Sequence, residues 1–209
     1  MAPQAVTLRS GDETLSADLY GQLPARRAAI LVHGQAWNAD GWRDVAPLLV
    51  DRGVPALALN LRGHGASTGE TTEYAPPAEW SPVTDLRAAK ALLRERGARE
   101  IALVGSSLGG HAVLASTFER DIECVVSISA PVTGTPDEVS RRISGRKMFA
   151  CASDDSSGAT PHVLRCFSAA ALPKTLHLYG GTEHSSGMFK TAYGQEMLEA
   201  IAGFVARGL

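Results

Sequence analysis

Cysteine is scarce in this 209-residue chain, and the three present, Cys124, Cys151 and Cys166, are an odd number without C-x-x-C spacing. That pattern speaks against both a disulfide framework and a cysteine zinc site. Cys124 and Cys151 lie within apolar runs, where a free thiol serves as a small core residue. The six histidines are scattered without H-x-x-x-H spacing, so no metal and no cofactor is expected. No apolar run approaches the ~20 residues that a bilayer-spanning helix needs, so a membrane is not an expected partner. The first residues, "MAPQAVTLRSGDETL", lack the charged, apolar and small-residue segments of a secretory signal. A cytoplasmic location is the resulting expectation. Neither sign of charge dominates: 20 Lys and Arg stand against 22 Asp and Glu. With no basic tract to track phosphates, nucleic acid is not expected as a partner either.

What is present is the composition of a globular protein, 44% hydrophobic and 20% charged. A chain of this length buries roughly 70% of its unfolded surface in one core. Internal repeats, low-complexity tracts and Pro/Gly/Ser-rich linkers are all missing, so residues 1–209 are expected to form a single domain.

Short apolar runs alternate with longer helical patterns. "AVTLRS" and "ETLSADLYG" alternate apolar and polar residues, as half-buried antiparallel strands at a sheet edge do. "AAILVH", "VPALALN", "EIALVG", "ECVVSIS", "KMFACAS" and "TLHLYG" are nearly continuous apolar runs, the mark of parallel strands covered on both faces. Between Ser81 and Gly97, Val83, Leu86, Ala89 and Leu93 recur at helical spacing, with Ser81 placed to cap, Pro82 in the first turn and Gly97 at the exit. Met197, Ile201, Phe204 and Val205 mark one face of a C-terminal helix. The expected fold class is α/β, a doubly wound, mostly parallel sheet of about eight strands with right-handed crossovers. Ligands then belong at the carboxyl ends of the strands.

One such end carries Gly105-Ser106-Ser107-Leu108-Gly109, a G-x-S-x-G match with Ser107 at its centre. The spacing has a steric origin: the central serine sits on a sharp strand-to-helix turn, and side chains two positions away would strike neighbouring backbone. "IALV" before it and "GGHAVLAS" after it supply that strand and helix. Ser107 is the expected nucleophile and Ser106 a filler of the turn.

With "LVHGQAWN", "ALNLRGHGASTG", "VGSSLGG", "ACASDD" and "GGTEHS" in this order, the chain resembles the α/β-hydrolase family over most of its length. The resemblance implies a serine hydrolase, with a Ser-acid-His relay and an acyl-enzyme intermediate. It makes His33 and His64 structural landmarks. His111 falls in the helix after Ser107, His162 on a surface helix and His177 in a strand. His184, in the Gly-rich loop after the last strand, matches the position of the family's base. The acid follows "KMFACAS" by a short turn, which favours Asp155 with Asp154 as second choice. Adjacent side chains of an extended segment point opposite ways, so only one faces His184.

The family's oxyanion hole takes one backbone N–H from the residue after the nucleophile, here Leu108, and another from the loop after the "AILV" strand. Gln35 is the second donor, by position only. Relatives often insert a helical cap after "ECVVSIS", but here "APVTGTPDEVSRRISGR" holds only a loop and one helix, so no cap domain is expected. The Pro- and Gly-rich stretch from Gly63 to Ser81 is expected to wall the pocket, with Tyr74 and Trp80 as substrate contacts and Trp37 as a third. Ordinary packing is an equal alternative for all three. The expected substrate is a small or medium acyl ester, cleaved by a carboxylesterase-type enzyme. Thioesterase, peptidase or acyltransferase activity on the same machinery, or a non-catalytic binding protein, are the rivals.

Overall fold

A computed structural model describes residues 2–72, 79–116, 122–132 and 144–207 of the chain. Eight strands, β1 (Gln4–Ser10), β2 (Glu13–Tyr20), β3 (Arg27–Val32), β4 (Ala56–Leu59), β5 (Glu100–Ser106), β6 (Ile122–Ile128), β7 (Arg146–Ala152) and β8 (Lys174–Tyr179), form one sheet. Their order is β1-β2-β4-β3-β5-β6-β7-β8. The first two pair as an antiparallel hairpin and β2 runs antiparallel to β4, while β3 to β8 are mutually parallel. The alternating pattern of the first two runs therefore does mark a sheet edge, and the continuous apolar runs do mark parallel strands.

Among the described residues, five α-helices flank the sheet: α1 (Ala46–Val50), α2 (Ser81–Glu95), α3 (Leu108–Ser116), α4 (Thr160–Ala169) and α5 (Gly194–Ala206). Inward side chains alternate along each strand, so the sheet sends them into two separate cores. One core joins β-strand residues such as Ile30, Leu57 and Leu103 to α2, α3 and α4 through Leu86, Leu93, Val113 and Val163. The other joins Leu31, Val104 and Val126 to α1 and α5 through Leu49, Met197 and Ile201. Each such side chain, fully buried, contributes roughly 1.5–3 kcal/mol of transfer free energy.

Two details differ from the sequence reading. Ser81 is the first residue of α2 and not its cap, since Trp80 holds that position in extended conformation. The Ser81 hydroxyl instead accepts the Thr72 N–H at 2.8 Å, tying the preceding loop to the helix. The run "TLHLYG" forms β8 at the far sheet edge, where Leu178 is 50% exposed. An edge strand has a neighbour on one side only, so its outer face is left uncovered. Gly97, at φ +98°, does end α2: Ala98 N–H reaches Leu93 O at 2.9 Å and Gly97 N–H reaches Arg94 O at 3.0 Å, a left-handed C-terminal closure. The segment expected to hold a loop and one helix between β6 and β7 falls largely in 133–143, outside the described residues.

Candidate active site

The carboxyl end of the central strand β5 turns into α3 through Ser107, whose φ of +53° lies in the left-handed region. The turn is tight enough to explain its glycines. A Cβ on Gly105 would sit 2.2 Å from Gly109 O, and one on Gly109 would sit 2.2 Å from Val32 O. Backbone cannot yield to such overlaps, so G-x-S-x-G is dictated here by close approach of three chain segments. Ser107 N–H is held by Ile128 O at 2.8 Å, and Gly109 N–H by His33 O at 3.1 Å.

His184 leaves β8 through the Gly180–Gly181 loop and turns its ring over the same rim. Its Nε2 lies 2.9 Å from Ser107 Oγ, and its Nδ1 lies 2.9 Å from both oxygens of Asp155. With Asp155 accepting from Nδ1–H, Nε2 is left unprotonated and can accept the hydroxyl of Ser107. The Asp155 side chain is fully buried and that of His184 23% exposed. Asp155 Oδ1 also accepts the Ser157 N–H at 2.9 Å. Thr160, at the start of α4, accepts the Asp155 N–H and donates to Ala152 O, closing the turn after β7. Asp154 faces away: it is exposed, and its Oδ2 accepts from its neighbour Ser153 at 2.8 Å.

Gln35 follows the buried His33-Gly34 pair. Gly34 O accepts from Trp37 N–H at 3.0 Å and from His33 Nδ1–H at 2.8 Å. In a trans peptide C=O and N–H point opposite ways, so pinning this carbonyl inward turns the Gln35 N–H outward. A Cβ on Gly34 would lie 3.1 Å from Ser107 Cβ, which puts this turn beside the nucleophile elbow. His33 Nε2 accepts the Leu61 N–H at 3.1 Å, completing its hydrogen bonds as a neutral ring. Burial pushes its pKa down to about 4. His64 adds a second hold, its Nε2–H donating to Gln35 O at 2.8 Å. Leu108 is the first residue of α3, where a backbone N–H has no acceptor within its own helix.

Of the aromatic contacts expected from sequence, Trp37 is 42% exposed on the turn after Gly34, with Lys190 Nζ 5.9 Å from its ring centre. Trp80 is corrected: it is 1% exposed and belongs to the core, its ring 4.7 Å from that of His111. A side chain with no accessible surface cannot touch substrate. Tyr74 lies outside the described residues. His111 is packed rather than catalytic, and burial lowers its pKa to about 4. All three cysteines are buried.

The sequence reading missed several residues. Behind Gly34 lies a cavity of about 10 Å³ lined by His33, Trp37, Gly41, Trp42, Ser106 and Ser186, enough for one water. Ser106 is corrected from a turn filler: it is 2% exposed, and its hydroxyl is hydrogen-bonded to that of Ser185, also 2% exposed. No signal in the sequence joins these two positions, which are 79 residues apart. Among the described residues no cluster of three or more His, Cys, Asp and Glu could hold a metal ion, and no helix is long and apolar enough to cross a membrane.

The sequence profile of the alpha/beta hydrolase family matches residues 29–205, and the chain belongs to that family. It is 33% identical to a non-heme chloroperoxidase of Kitasatospora aureofaciens over 104 residues, which are 50% of this chain and 34% of that protein. It is 27% identical to a carboxylesterase of Bacillus subtilis over 139 residues, 66% of this chain and 50% of that one. The chain thus matches half or less of the length of these curated relatives. An esterase of Pyrococcus furiosus has the same fold at a TM-score of 0.80 and 17% identity, with 97% of this chain and 91% of that one covered.

Proposed function

We propose that the chain is a serine hydrolase of carboxylic esters, with Ser107 as nucleophile, His184 as general base and Asp155 as the orienting acid. The observation that carries this reading is the unbroken run of hydrogen-bond distances from Asp155 through His184 to Ser107 Oγ, each 2.9 Å. As Ser107 Oγ attacks the ester carbonyl carbon, His184 Nε2 takes its proton and the carbonyl π-bond becomes an oxyanion. The N–H groups of Gln35 and Leu108 stabilise that charge; losing one such donor costs roughly 100- to 1000-fold in turnover. His184 then returns the proton to the alcohol as the C–O bond breaks, leaving an acyl-Ser107. Water, deprotonated by the same Nε2, releases the acid and restores the serine. Asp155 stabilises the imidazolium formed in each half without itself taking the proton.

The esterase and the carboxylesterase among the relatives support the ester as substrate class. Trp37 stands exposed beside the proposed oxyanion turn, an apolar surface that fits small and medium acyl groups, which are the substrates of this reading. Labelling with a fluorophosphonate probe, together with a panel of p-nitrophenyl esters of rising acyl length, tests the reading. Labelling and ester turnover that both vanish in Ser107→Ala support it. Equal labelling of that variant, or strict selectivity for one long acyl chain, counts against it.

A further inference from the structure

Three residues other than glycine have a left-handed backbone among the described residues: Ser107 at φ +53°, Ser129 at +47° and Ser185 at +61°. Side chains bearing a Cβ are disfavoured there, and such strain persists only where surrounding contacts over-determine it. Ser107 is the elbow itself. Ser185 directly follows His184 in the chain and opens a short 3-10 turn, Ser185–Lys190, so its backbone angles set where the His184 ring begins.

Ser185 is held by a contact that reaches the other half of the site. Its hydroxyl shares a hydrogen bond with that of Ser106, the last residue of β5, and both residues are 2% exposed. Ser106 is paired in register with Ile128 in the middle of the sheet, so it is a rigid anchor. A Cβ on Gly34 would lie 3.5 Å from Ser185 Oγ and 3.1 Å from Ser107 Cβ, so the three segments meet closely at this point. Further along the same turn, Met188 is fully buried and its Sδ accepts from Ser129 Oγ at 3.6 Å. Adjacent residues 106 and 107 on one segment thus meet adjacent residues 185 and 184 on the other. One rung, Ser107 to His184, is the proposed proton path; the other, Ser106 to Ser185, lies beneath it.

We propose that Ser106 and Ser185 form a clasp that positions His184 over Ser107, by pinning the backbone after the base to the strand that carries the nucleophile. They are positioning residues and touch no reacting atom. The proposal rests on the reading of Ser107 and His184 as nucleophile and base. A base carried on a loop loses turnover steeply with small misplacement, about 100-fold for 1 Å. Freed of the clasp, the His184 ring would also leave its aligned contact with Asp155, and the imidazolium would be less stabilised.

The experiment is a double-mutant cycle on ester hydrolysis with Ser106→Ala, Ser185→Ala and the pair combined, with kcat and KM of each. Each single variant is expected to lower kcat about 10- to 100-fold at unchanged KM. The double variant should be no worse than the poorer single, because either change removes the whole contact. Ser185→Gly separates hydroxyl from backbone, since glycine keeps the left-handed angle without strain; it should stay impaired. Wild-type turnover in Ser185→Gly, additive losses in the cycle, or a loss carried by KM with kcat unchanged would each overturn the clasp. Fluorophosphonate labelling of the wild type at Ser107 is scored separately: its absence would sink the hydrolase reading, and the clasp with it.

Discussion

Two buried aspartates in this protein each join a serine and a nitrogen-bearing side chain, and they do opposite things. Asp85, fully buried on α2, accepts from Ser10 Oγ at 2.7 Å and from the Arg62 guanidinium at 2.6 Å. Arg62 also donates its backbone N–H to Asp85 Oδ2 at 3.0 Å, so β1, the loop after β4 and α2 are locked together. Asp155 makes a similar triple with His184 and Ser107. Guanidinium does not give up its proton in a protein, so the first triple can only hold. Imidazole titrates near neutrality, so the second can pass a proton. The two sites share a carboxylate and a hydroxyl; the group between them decides what they can do.

Removing the hydroxyls separates the two triples most sharply. Ser107→Ala is expected to cut ester turnover roughly 10⁴- to 10⁶-fold with little change in the urea midpoint. Near-normal hydrolysis by that variant would erase the contrast. Asp155→Asn comes next: an amide in that place can present its N–H₂ to Nδ1, favouring the wrong tautomer, and kcat should fall roughly 10³- to 10⁴-fold. Asp154→Asn serves as the matched control, and a comparable loss there would mean that the wrong carboxylate had been chosen.

In the other triple the loss should appear in stability instead. Asp85→Asn leaves the Arg62 guanidinium, 17% exposed, without its counter-ion, and about 3 kcal/mol of unfolding free energy should go, read from denaturant titration. The specific activity of the protein that remains folded should stay within a few-fold of wild type. A large kcat effect with unaltered stability would show that the two regions are coupled.

The effect confined to the narrowest conditions concerns acid. Burial lowers the pKa of both His33 and His111 to about 4, while each takes a proton near 6.5 when unfolded. Their stabilisation is therefore present above pH 6.5 and is lost as the pH falls from there to about 4, because over that window the unfolded chain binds more protons. Each group can account for about 1.4 kcal/mol per pH unit at most. His111→Phe keeps a ring against Trp80 and should flatten the fall of the urea midpoint between pH 6.5 and 4. An unchanged slope would remove His111 as a source.

The residues that were legible in the sequence share one property: their signal is local. Gly105 and Gly109 declare the turn because their spacing around Ser107 is written along the chain, even though the backbone that demands Gly109 belongs to β3, and the apolar runs declare strands because a two-sided core demands them. Asp155 could be preferred over Asp154 only through resemblance; the structure separates them by burying one carboxylate and exposing the other. For Trp80 the sequence leaves substrate contact and packing as equal alternatives, and the structure decides for packing, its ring closing the core against His111. Ser106 gave no hint of its partner, since a hydroxyl pair 79 residues apart leaves no periodicity.

The order of apolar runs and the glycines spaced around one serine determined the α/β class, the parallel strands and the position of the strand-to-helix turn, because order and spacing are written along the chain. The approach of His184 to Ser107, the selection of Asp155, the burial of Trp80 and the meeting of Ser106 with Ser185 were decided only by the folded sheet. Parallel strands end on the same edge, and it is there that residues distant in sequence come within hydrogen-bonding distance.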